Sequence, residues 1–285
     1  MNYLLYNRLA DNGRGEENAK KAKAALEEKG IKAELSCSND QTLPEFFGSI
    51  KEEDCVILLG GDGTLNYFIN NIGEKIPSNP LYLYPDGTGN DFGRDVENDP
   101  EIKNGLIPLN KYLEHLPKVE VKGKTYRFIN GIGYGIDGDC CVKAEEMKAN
   151  GEEKIDYGSI TVNLLLHSYV PKTARVKVDG IDLGEIKKVY LASAMNGRFY
   201  GGGMNIAPSQ KRGSGKISLA MIHGKGKLGT LLMFPKLFKG THVKKKKNVL
   251  VKEGKCIEVE FDKPTGLQID GEVVRDVTSY KAWID

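Results

Sequence analysis

The stretch CVILLGGDGTLNY, residues 55–67, decides how this chain is expected to fold. It opens with Cys55–Leu59, a continuous apolar run of the kind found in parallel strands that are buried on both faces. Gly60–Thr64 follows as a glycine-rich loop, and Leu65–Ile72 has the composition of a helix. The stretch therefore predicts a strand, a loop and a helix in that order, with the loop at the carboxyl end of the strand.

The flanking segments repeat this alternation of strand and helix. Strands are expected at residues 3–6, 31–35 and 81–84, and helices at residues 16–29 and 43–50. Strands that alternate with helices favour a parallel sheet covered by helices on both faces. We predict a doubly wound, Rossmann-like α/β domain over residues 1–118.

After about Leu116 the pattern changes to apolar and polar residues in alternation, broken by hairpin dipeptides such as Asp179-Gly180. Helices are expected only near Val142–Ala149, Ile160–Tyr169 and Leu228–Phe238. This pattern predicts a second, mainly antiparallel β-sandwich domain over residues 119–275. Residues 276–285 are assigned either to this domain or to completion of the first.

The composition limits the classes of function. The 41 Lys and Arg nearly balance the 39 Asp and Glu, so no general argument for nucleic-acid binding exists and no such partner is expected. Five scattered cysteines and four histidines give no zinc-site spacing, which is typical of reduced thiols in a cytoplasmic protein. No signal peptide is evident, and no apolar run approaches the roughly 20 residues of a spanning helix. Any membrane contact is expected to be peripheral.

Two glycine-rich loops indicate phosphate chemistry. Gly60–Thr64 and Pro85–Asp91 each follow a predicted strand, and ligands of such sheets bind beyond the carboxyl ends of the strands. Glycine lets backbone N–H groups approach phosphate oxygens, and Thr64 would lie near a helix N-terminus. If the two strands are neighbours, Asp62 and Asp91 face one pocket, where Mg²⁺ would offset their charge. Phosphoryl transfer is favoured over two tight turns without a ligand.

Longer motifs resemble the diacylglycerol kinase catalytic family, in particular its soluble bacterial lipid kinases. The motifs are GGDGTLN at 60–66, GTGNDF at 87–92, FINGIGYGID at 128–137, NGRFYGGGMNIAP at 196–208 and IDGE at 269–272. GGDGT alone is shared with NAD kinases and is similar to a phosphofructokinase loop, whereas GTGNDF and DGE distinguish the lipid kinases. The resemblance implies a two-domain fold and ATP-dependent phosphorylation of a lipid hydroxyl, with diacylglycerol as the expected acceptor.

The resemblance also assigns roles to residues. Asp62 and Asp91 would organise Mg²⁺, partly through water or phosphate, and Glu272 would be the general base that accepts the proton of the lipid hydroxyl. From the residues alone, Asp270-Gly271-Glu272 equally predicts a hairpin turn. The residues expected to hold ATP are Asn7, Arg8, Leu9, Ala10, Asp11, Ser38, Gly61, Asp62, Gly63, Thr64, Leu65, Asn66, Tyr67 and Thr88.

The chain departs from the family pattern in three places. The first loop reads Asn7-Arg8 where Asn-Pro is usual and carries Asp11 where a small residue is common, and Asp86 adds negative charge to the second loop. Ser214 and Ser218 stand in a segment where many relatives carry an Asp-Gly that binds a structural Mg²⁺. Because serines cannot supply those carboxylates, we predict no structural metal there.

A basic and apolar region, residues 225–247, is expected to contact the membrane surface. Lysines flank the run Leu228–Phe234 and continue to Lys244–Lys247, and such a combination favours anionic lipid surfaces. A core helix followed by a solvated lysine run is the alternative. Asp137 is a further candidate for the acidic cluster, ranked below Glu272.

Two other functions compete with the lipid kinase. One is an NAD kinase, which shares GGDGT, and the other is a non-catalytic lipid or nucleotide sensor of the same fold. The intact Asp62, Asp91 and Glu272 argue against the sensor. The resemblance further implies a homodimer, although no stretch of sequence demonstrates one.

Overall fold

The computed structural model describes residues 1–87, 89–152 and 154–285, and of Asn12 only the backbone. The chain divides into two compact units, Met1–Leu116 and Pro117–Asp285. Each has its own buried core.

The first unit is a parallel sheet with one antiparallel edge strand. Its strand order is β2-β1-β3-β4-β5, in which only β5 runs antiparallel. The strands are β1 Asn2–Tyr6, β2 Glu34–Cys37, β3 Cys55–Gly60, β4 Leu81–Pro85 and β5 Ile107–Pro108. The helices are α1 Ala10–Gly13, α2 Gly15–Glu28, α3 Leu43–Ser49, α4 Asp62–Asn71, α5 Asp91–Asp95 and α6 Asn110–Leu113.

Helices cover both faces of this sheet. α2 buries Ala19, Ala22 and Leu26, whose spacing forms one apolar stripe, against a cluster that includes Ile57 of β3. On another face the rings of Phe46 and Phe47 in α3 contact each other, and Phe47 contacts Phe68 of α4. The doubly wound arrangement predicted from the alternation is confirmed.

The second unit is mainly an antiparallel sheet. The strands are β6 Lys118–Val121, β7 Lys124–Arg127, β8 Gly131–Tyr134, β9 Lys172–Val178, β10 Ile181–Met195, β11 Phe199–Tyr200, β12 Met204–Asn205, β13 Ile217–His223, β14 Val249–Gly254, β15 Cys256–Ile269 and β16 Glu272–Trp283. The helices are α7 Ile136–Ala149, α8 Tyr157–Asn163, α9 Lys227–Leu231 and α10 Phe234–Phe238, with a π-helical turn at Leu164–Ser168 and a 3₁₀ turn at Thr241–Lys244.

The long strands β10 and β15 organise this unit. Both pair with β9 in one half of their length and with β8 in the other, and the strand path runs β14-β13-β10-β8-β15-β16-β6-β7. The core contains Tyr134, which is stacked on Phe261 at a ring-centroid distance of 4.1 Å. Its hydroxyl donates to the carbonyl of Val277 at 3.0 Å, so the buried polar atom is satisfied.

The C-terminal segment belongs to the second unit. Residues 276–285, which the sequence left open for completing the first domain, lie in this unit, and β16 includes them up to Trp283. Trp283 pairs with both Cys256 of β15 and Lys118 of β6. Backbone pairing on both sides of the strand therefore fixes this segment in the antiparallel sheet.

Candidate active site

The strand order of the first unit creates a switch point between β1 and β3. From β1 the chain crosses to β2 on one side, and β3 lies on the other. The loops that follow β1 and β3 therefore leave the same edge of the sheet in opposite directions, and the crevice between such loops is where doubly wound folds bind ligands. These are the loops that hold Asn7–Asp11 and Gly60–Thr64.

The two glycine-rich loops meet at this edge. The amide of Asp86 donates to the carbonyl of Gly60 at 3.0 Å, which aligns the ends of β3 and β4. The backbones of Gly61 and Gly87 are so close that a Cβ at Gly87 would stand 3.4 Å from the Cα of Gly61. Glycine at both positions keeps the backbone amides of this edge accessible.

The N-terminus of α4 lies at the same place. Its N-cap is Gly61, so no side chain caps the first turn of this ten-residue helix. Uncapped N–H groups at a helix start favour an anion, and the helix dipole adds to the effect. A phosphate group fits this environment.

Asp62 links the two loops. Its carboxylate accepts the backbone N–H of Asp91 at 2.8 Å and that of Phe92 at 3.0 Å. Asp62 at the start of α4 therefore caps the start of α5, with Asn90 as a second cap through the N–H of Gly93 at 3.1 Å. The aspartate of GGDGT fixes the position of GTGNDF.

The metal-site role expected of Asp91 stays a prediction, and its side chain has a partner within its own helix. Its side chain is buried, and it accepts a hydrogen bond from the guanidinium of Arg94 at 3.1 Å. It is the backbone of Asp91 that meets Asp62. A buried carboxylate needs a cationic partner, and Arg94, three residues along α5, supplies it.

The charged residues that distinguish the first loop from the family pattern form ion pairs with neighbouring side chains. Arg8 pairs with Asp40 at 2.9 Å, and the amide of Arg8 donates to the side chain of Asn39 at 2.8 Å. Asp11 accepts from Arg14 at 2.8 Å, and this hydrogen bond holds the pKa of Asp11 below its usual value. Ser38 is tied to the end of β1 through its amide, which donates to the carbonyl of Tyr6 at 2.8 Å.

The remaining residues predicted to hold a nucleotide differ in their accessibility. Leu65 is fully buried in the core and Asn66 is nearly so, whereas Tyr67 is exposed. The side chain of Leu65 is therefore unavailable to a ligand. Thr88 lies outside the described residues.

In the second unit, Asp270-Gly271 forms the two-residue hairpin turn that the sequence predicted. Ile269 pairs with Glu272, and Asp270 and Gly271 have φ angles of 49° and 100°, as a type I′ turn requires. Glu272 is the first residue of β16 and its side chain is exposed. An exposed carboxylate beside a tight turn is rigidly mounted yet accessible.

Asp270 anchors this hairpin. Its carboxylate accepts three backbone N–H groups, from Ile129 at 2.6 Å, Asn130 at 2.8 Å and Gly131 at 2.9 Å. The Asp270 side chain thus joins the two motifs at 128–137 and 269–272, because it accepts the backbone N–H groups of the turn that leads into β8.

An apolar cavity of about 40 Å³ lies in the second unit with one carboxylate at its wall. Its lining includes Leu165, Ile206, Phe234 and Leu237, together with Asp137 of α7. Burial raises the pKa of Asp137 to about 6, against the opposing effect of hydrogen bonds from Gln268 and Tyr200. Gln268 donates to Asp137 at 3.0 Å and accepts the amide of Gly271 at 2.7 Å. The cavity wall is therefore connected to the hairpin that carries Glu272.

Comparison with known proteins agrees with both units. Residues 2–119 match the diacylglycerol kinase catalytic domain, and residues 130–281 match the YegS C-terminal NAD kinase beta sandwich-like domain. The chain belongs to the family of the second of these domains, which covers more than half of its residues. The predicted pair of domain types, α/β followed by a β-sandwich, is confirmed by these matches.

Proteins named diacylglycerol kinase are moderately similar to this chain in sequence. The diacylglycerol kinase of Bacillus subtilis (strain 168) is 25% identical over 247 residues, which cover 83% of this chain and 77% of that protein. The diacylglycerol kinase of Mycobacterium tuberculosis (strain CDC 1551 / Oshkosh) is 26% identical over 68% of this chain and 62% of its own length. The aligned region covers only 37% of the length of another relative, which is from Staphylococcus haemolyticus (strain JCSC1435). Several matches therefore span less than two thirds of the relative.

A solved structure shares the fold. The crystal structure of a diacylglycerol kinase from Bacillus anthracis str. Sterne superposes with a TM-score of 0.66 at 20% identity, over 99% of this chain and 93% of that one. At this identity the likeness concerns the fold alone.

The residues present fit the nucleotide and the metal that a diacylglycerol kinase catalytic domain implies. The close glycine backbones and the uncapped start of α4 form a cradle for phosphates. Among the described residues no group of three His, Cys, Asp or Glu could hold a metal ion by itself. Mg²⁺ is commonly bound through one or two carboxylates, waters and substrate phosphates. Asp62 fits that mode, because a carboxylate offers about four lone pairs and can accept hydrogen bonds while it binds a metal ion.

The segment for which the family pattern implies a structural Mg²⁺ is held by side chains. The hydroxyl of Ser218 donates to Gln210 at 2.5 Å, and Gln210 donates to the carbonyl of Lys216 at 2.9 Å. The guanidinium of Arg212 donates to the carbonyl of Ile129 and to the side chain of Asn130. The expectation that no structural metal binds here stays a prediction.

Sequence reasoning missed three residues that support the site. The pairing of Arg94 with Asp91 could have been inferred from the Asp-x-x-Arg spacing within α5, which is typical of a helical ion pair. Gln268 and Tyr200 gave no such signal, because both approach Asp137 from distant parts of the chain. Across the part of the chain that the structure describes, no helix is both long and apolar enough to span a membrane.

Proposed function

We propose that this chain is an ATP-dependent lipid kinase that transfers the γ-phosphate of ATP to the hydroxyl of diacylglycerol. The meeting of Gly60–Thr64 with Gly87–Asp91 at the start of α4 is the observation that carries the proposal. It provides phosphate-binding amides at the switch point of a doubly wound sheet. The match of residues 2–119 to the diacylglycerol kinase catalytic domain and the printed names of the relatives support the same activity.

ATP would lie against the first unit. The loop Asn7–Asp11 and Ser38 would border the nucleotide, and Gly61–Tyr67 would surround its phosphates with Thr88 beside them. Asp62 would hold Mg²⁺ through water and phosphate, and that ion would neutralise charge on the transferred group. Asp91 would support the Mg²⁺ site indirectly, since its carboxylate is already paired with Arg94.

Glu272 would serve as the general base. As the hydroxyl oxygen of the lipid bonds to the γ-phosphorus, its proton passes to the Glu272 carboxylate and the bond to ADP breaks. The exposure of Glu272 leaves its carboxylate accessible to an acceptor. The hydrogen bonds of Asp270 would keep the hairpin in one orientation.

The walls of the cavity beside Asp137 are largely aliphatic and aromatic, and its volume of about 40 Å³ suits a small apolar group rather than a whole acyl chain. We further propose that the enzyme works in the cytoplasm and reaches its substrate as a peripheral membrane protein. The homodimer expected from the resemblance stays a prediction.

A transfer assay with γ-labelled ATP across a panel of lipids tests the activity. Diacylglycerol is expected to be labelled in the presence of Mg²⁺, and Glu272→Ala is expected to lower the rate by about 10²-fold or more through loss of the base. Glu260→Ala, an exposed glutamate of β15, is the matched control and should retain the wild-type rate.

Two results would overturn the proposal. Labelling of NAD with no labelled lipid would make the chain an NAD kinase. Nucleotide binding without transfer to any acceptor, unchanged by Glu272→Ala, would make it a sensor.

A further inference from the structure

The positive charge of this chain is concentrated in one stretch. Between Glu185 and Glu253 there is no Asp or Glu, whereas fifteen Lys and Arg occur there. The net charge of the whole chain is only +2, so the remaining residues are acidic on balance. Such a strong asymmetry within one chain points to an anionic partner for this stretch.

The centre of the stretch is a closed excursion from the edge of the sheet. β13 ends at His223 and β14, which lies at the end of the strand path, begins at Val249. The amide of His223 donates to the carbonyl of Asn248 at 2.9 Å, and the side chain of Asn248 donates back at 3.1 Å. Residues 224–247, the excursion, thus leave the sheet and return to it at one point.

The apolar residues of the excursion fall into two groups. Met233 and Leu237 are buried in a cluster with Ile222 and other residues of the sheet. In contrast, Leu228 is 71% exposed, Leu232 73% and Phe238 49%. A single exposed apolar side chain is ordinary, but three large ones in so short a segment leave an apolar surface with no contact in this chain.

Lysines surround these exposed side chains. Lys239 and Lys244–Lys247 are exposed, and no carboxylate among the described residues pairs with them or with Lys225 and Lys236. Lys227 instead donates to the carbonyl of Leu166 at 3.1 Å and fixes α9 against the π-helical turn. The surface therefore offers unpaired cations next to apolar groups.

This pairing of chemistries favours one occupant. Phosphate groups would satisfy the lysines, but a nucleic acid backbone gives Leu228, Leu232 and Phe238 nothing apolar to contact. The surface of an anionic bilayer offers both negative head groups and a hydrocarbon layer. We propose that the excursion, residues 224–247, docks the protein on anionic membranes with Leu228, Leu232 and Phe238 inserted between lipids.

This inference extends the proposed lipid kinase by naming the surface that brings it to the bilayer. The lysines would attract the protein to the bilayer, each contributing about fivefold in affinity near an anionic surface. The exposed apolar side chains would then keep it there. Burial of two leucines corresponds to about a hundredfold or more in affinity.

Vesicle sedimentation of the full chain, without ATP or an acceptor lipid, tests the surface. Wild-type protein is expected to bind vesicles of phosphatidylglycerol and phosphatidylcholine, less at high salt, and to bind pure phosphatidylcholine weakly. Leu228→Ser with Leu232→Ser should weaken binding about a hundredfold, and Lys245→Gln with Lys246→Gln by about twentyfold. Because these side chains are exposed, the variants should keep the wild-type melting temperature.

Matched substitutions elsewhere separate docking from general effects. Ile181→Ser removes an apolar side chain that is 67% exposed, and Lys75→Gln with Lys263→Gln removes two exposed charges. Both controls should bind vesicles like the wild type. The proposal is overturned if the controls lose as much binding as the excursion variants, or if those variants bind normally.

Transfer to diacylglycerol in detergent micelles distinguishes this inference from the proposed function. There the leucine variant should retain wild-type turnover, because docking on a bilayer is not needed. Vesicle binding lost in the variant, together with no transfer by any form, would uphold the docking surface and reject the kinase. Self-association that the leucine substitutions abolish, with vesicle binding unchanged, would identify the occupant as a second copy and overturn the proposal.

Discussion

At the scale of single residues, Asp270 illustrates why a motif carboxylate need not be a catalytic one. In the sequence it stands between Ile269 and Glu272 as part of the family's motif. In the structure its oxygens accept three backbone N–H groups of residues 129–131. Donors of this kind stay satisfied only if the acceptor remains in place.

Replacement of this acceptor is expected to destabilise the second unit. Asp270→Asn removes the charge and one acceptor oxygen, so at least one buried N–H loses its partner. The free energy of unfolding should fall by about 1 to 3 kcal/mol, as measured by urea denaturation. Asp276→Asn, an exposed aspartate in β16, is the control. Equal losses of unfolding free energy in the two variants would show that the three hydrogen bonds make no particular contribution to stability.

A second residue prediction concerns pH and Asp137. Burial raises its pKa in the folded chain to about 6 from a reference value of 3.8. A raised carboxyl pKa means that the folded state prefers the protonated form, so the contribution of Asp137 to stability declines as the pH rises from about 4 to 6. Asp137→Asn stays neutral at every pH. It should therefore be more stable than the wild type at pH 8, by about 1 to 3 kcal/mol.

Thermal unfolding at pH 8 and pH 4 checks this prediction. The two proteins should differ at pH 8 and nearly converge at pH 4, where Asp137 is protonated in the folded state and partly protonated in the unfolded state. The asparagine oxygen can still accept from Gln268, so this hydrogen bond remains. A difference of the same size at both pH values would contradict the assignment of the raised pKa.

The residues of the site were predictable to different degrees. Asp62 and Glu272 follow from short motifs, since their neighbours along the chain set their role. The burial of Asp91 and its pairing with Arg94 depend on the packing of α5. The link from Asp137 to Gln268 joins residues 131 positions apart. Side chains that meet across such distances leave no local pattern for sequence reasoning to detect.

At the scale of elements, glycine positions decide where helices can begin and pack. α2 starts at Gly15, where a Cβ would stand only 1.9 Å from the carbonyl oxygen of Asn7. Gly48 of α3, in contrast, has no atom within 4 Å of a Cβ. The same substitution is therefore expected to have opposite effects at the two sites.

Gly15→Ala should lower stability by about 1 to 3 kcal/mol, because the added methyl forces the first loop away from α2. Gly48→Ala should be neutral or stabilising by up to about 1 kcal/mol, since alanine favours the helix. Melting temperatures of the two variants provide the measurement. Destabilisation by Gly48→Ala of the same size as that by Gly15→Ala would count against the close contact with Asn7.

The strands β1–β4 and the helices α2–α4 of the first unit were predicted within a few residues, because their periodic patterns are strong. The second unit shows where local patterns fail. α7 was predicted from Val142, yet it begins at Ile136 and contains Gly138. A Cβ at Gly138 would stand 2.0 Å from the carbonyl oxygen of Gly266, so this glycine serves a tertiary contact rather than breaking the helix.

The expected single helix Leu228–Phe238 is two short helices in the structure. α10 carries Pro235 in its first turn, where proline is well tolerated because the missing N–H has no helical partner. The proline was visible in the sequence and indicated the start of α10. The division matters for function, since it allows Leu232 and Phe238 to remain exposed while Leu237 is buried.

At the scale of the whole molecule, the two units separate the proposed tasks. The phosphate cradle belongs to Met1–Leu116, whereas Glu272, the cavity and the excursion belong to Pro117–Asp285. The change after about Leu116, from alternating strands and helices to alternating apolar and polar residues, predicted this division into α/β and β parts. The place of residues 276–285 was not predictable, because an alternating strand pattern identifies a strand but not its neighbours.

This division makes a prediction about ligand binding that hydrogen exchange can test. Mg²⁺ with a non-hydrolysable ATP analogue at 100 times its dissociation constant should add about 2.7 kcal/mol of stability to the state that binds it. Exchange should slow in residues 7–15 and 60–67, which form the loops at the switch point. Anionic vesicles should instead slow exchange in residues 224–247.

Two variants sharpen this last prediction. In Gly61→Val the side chain would fill the close approach to Gly87, so the analogue should no longer protect the first unit. Glu272→Ala lies in the second unit and should keep that protection while losing phosphoryl transfer. If the analogue protected Gly61→Val as well as the wild type, the phosphates would bind elsewhere than the start of α4. If Glu272→Ala lost the protection, its carboxylate would be needed for nucleotide binding, and its effect on transfer would no longer identify it as the base.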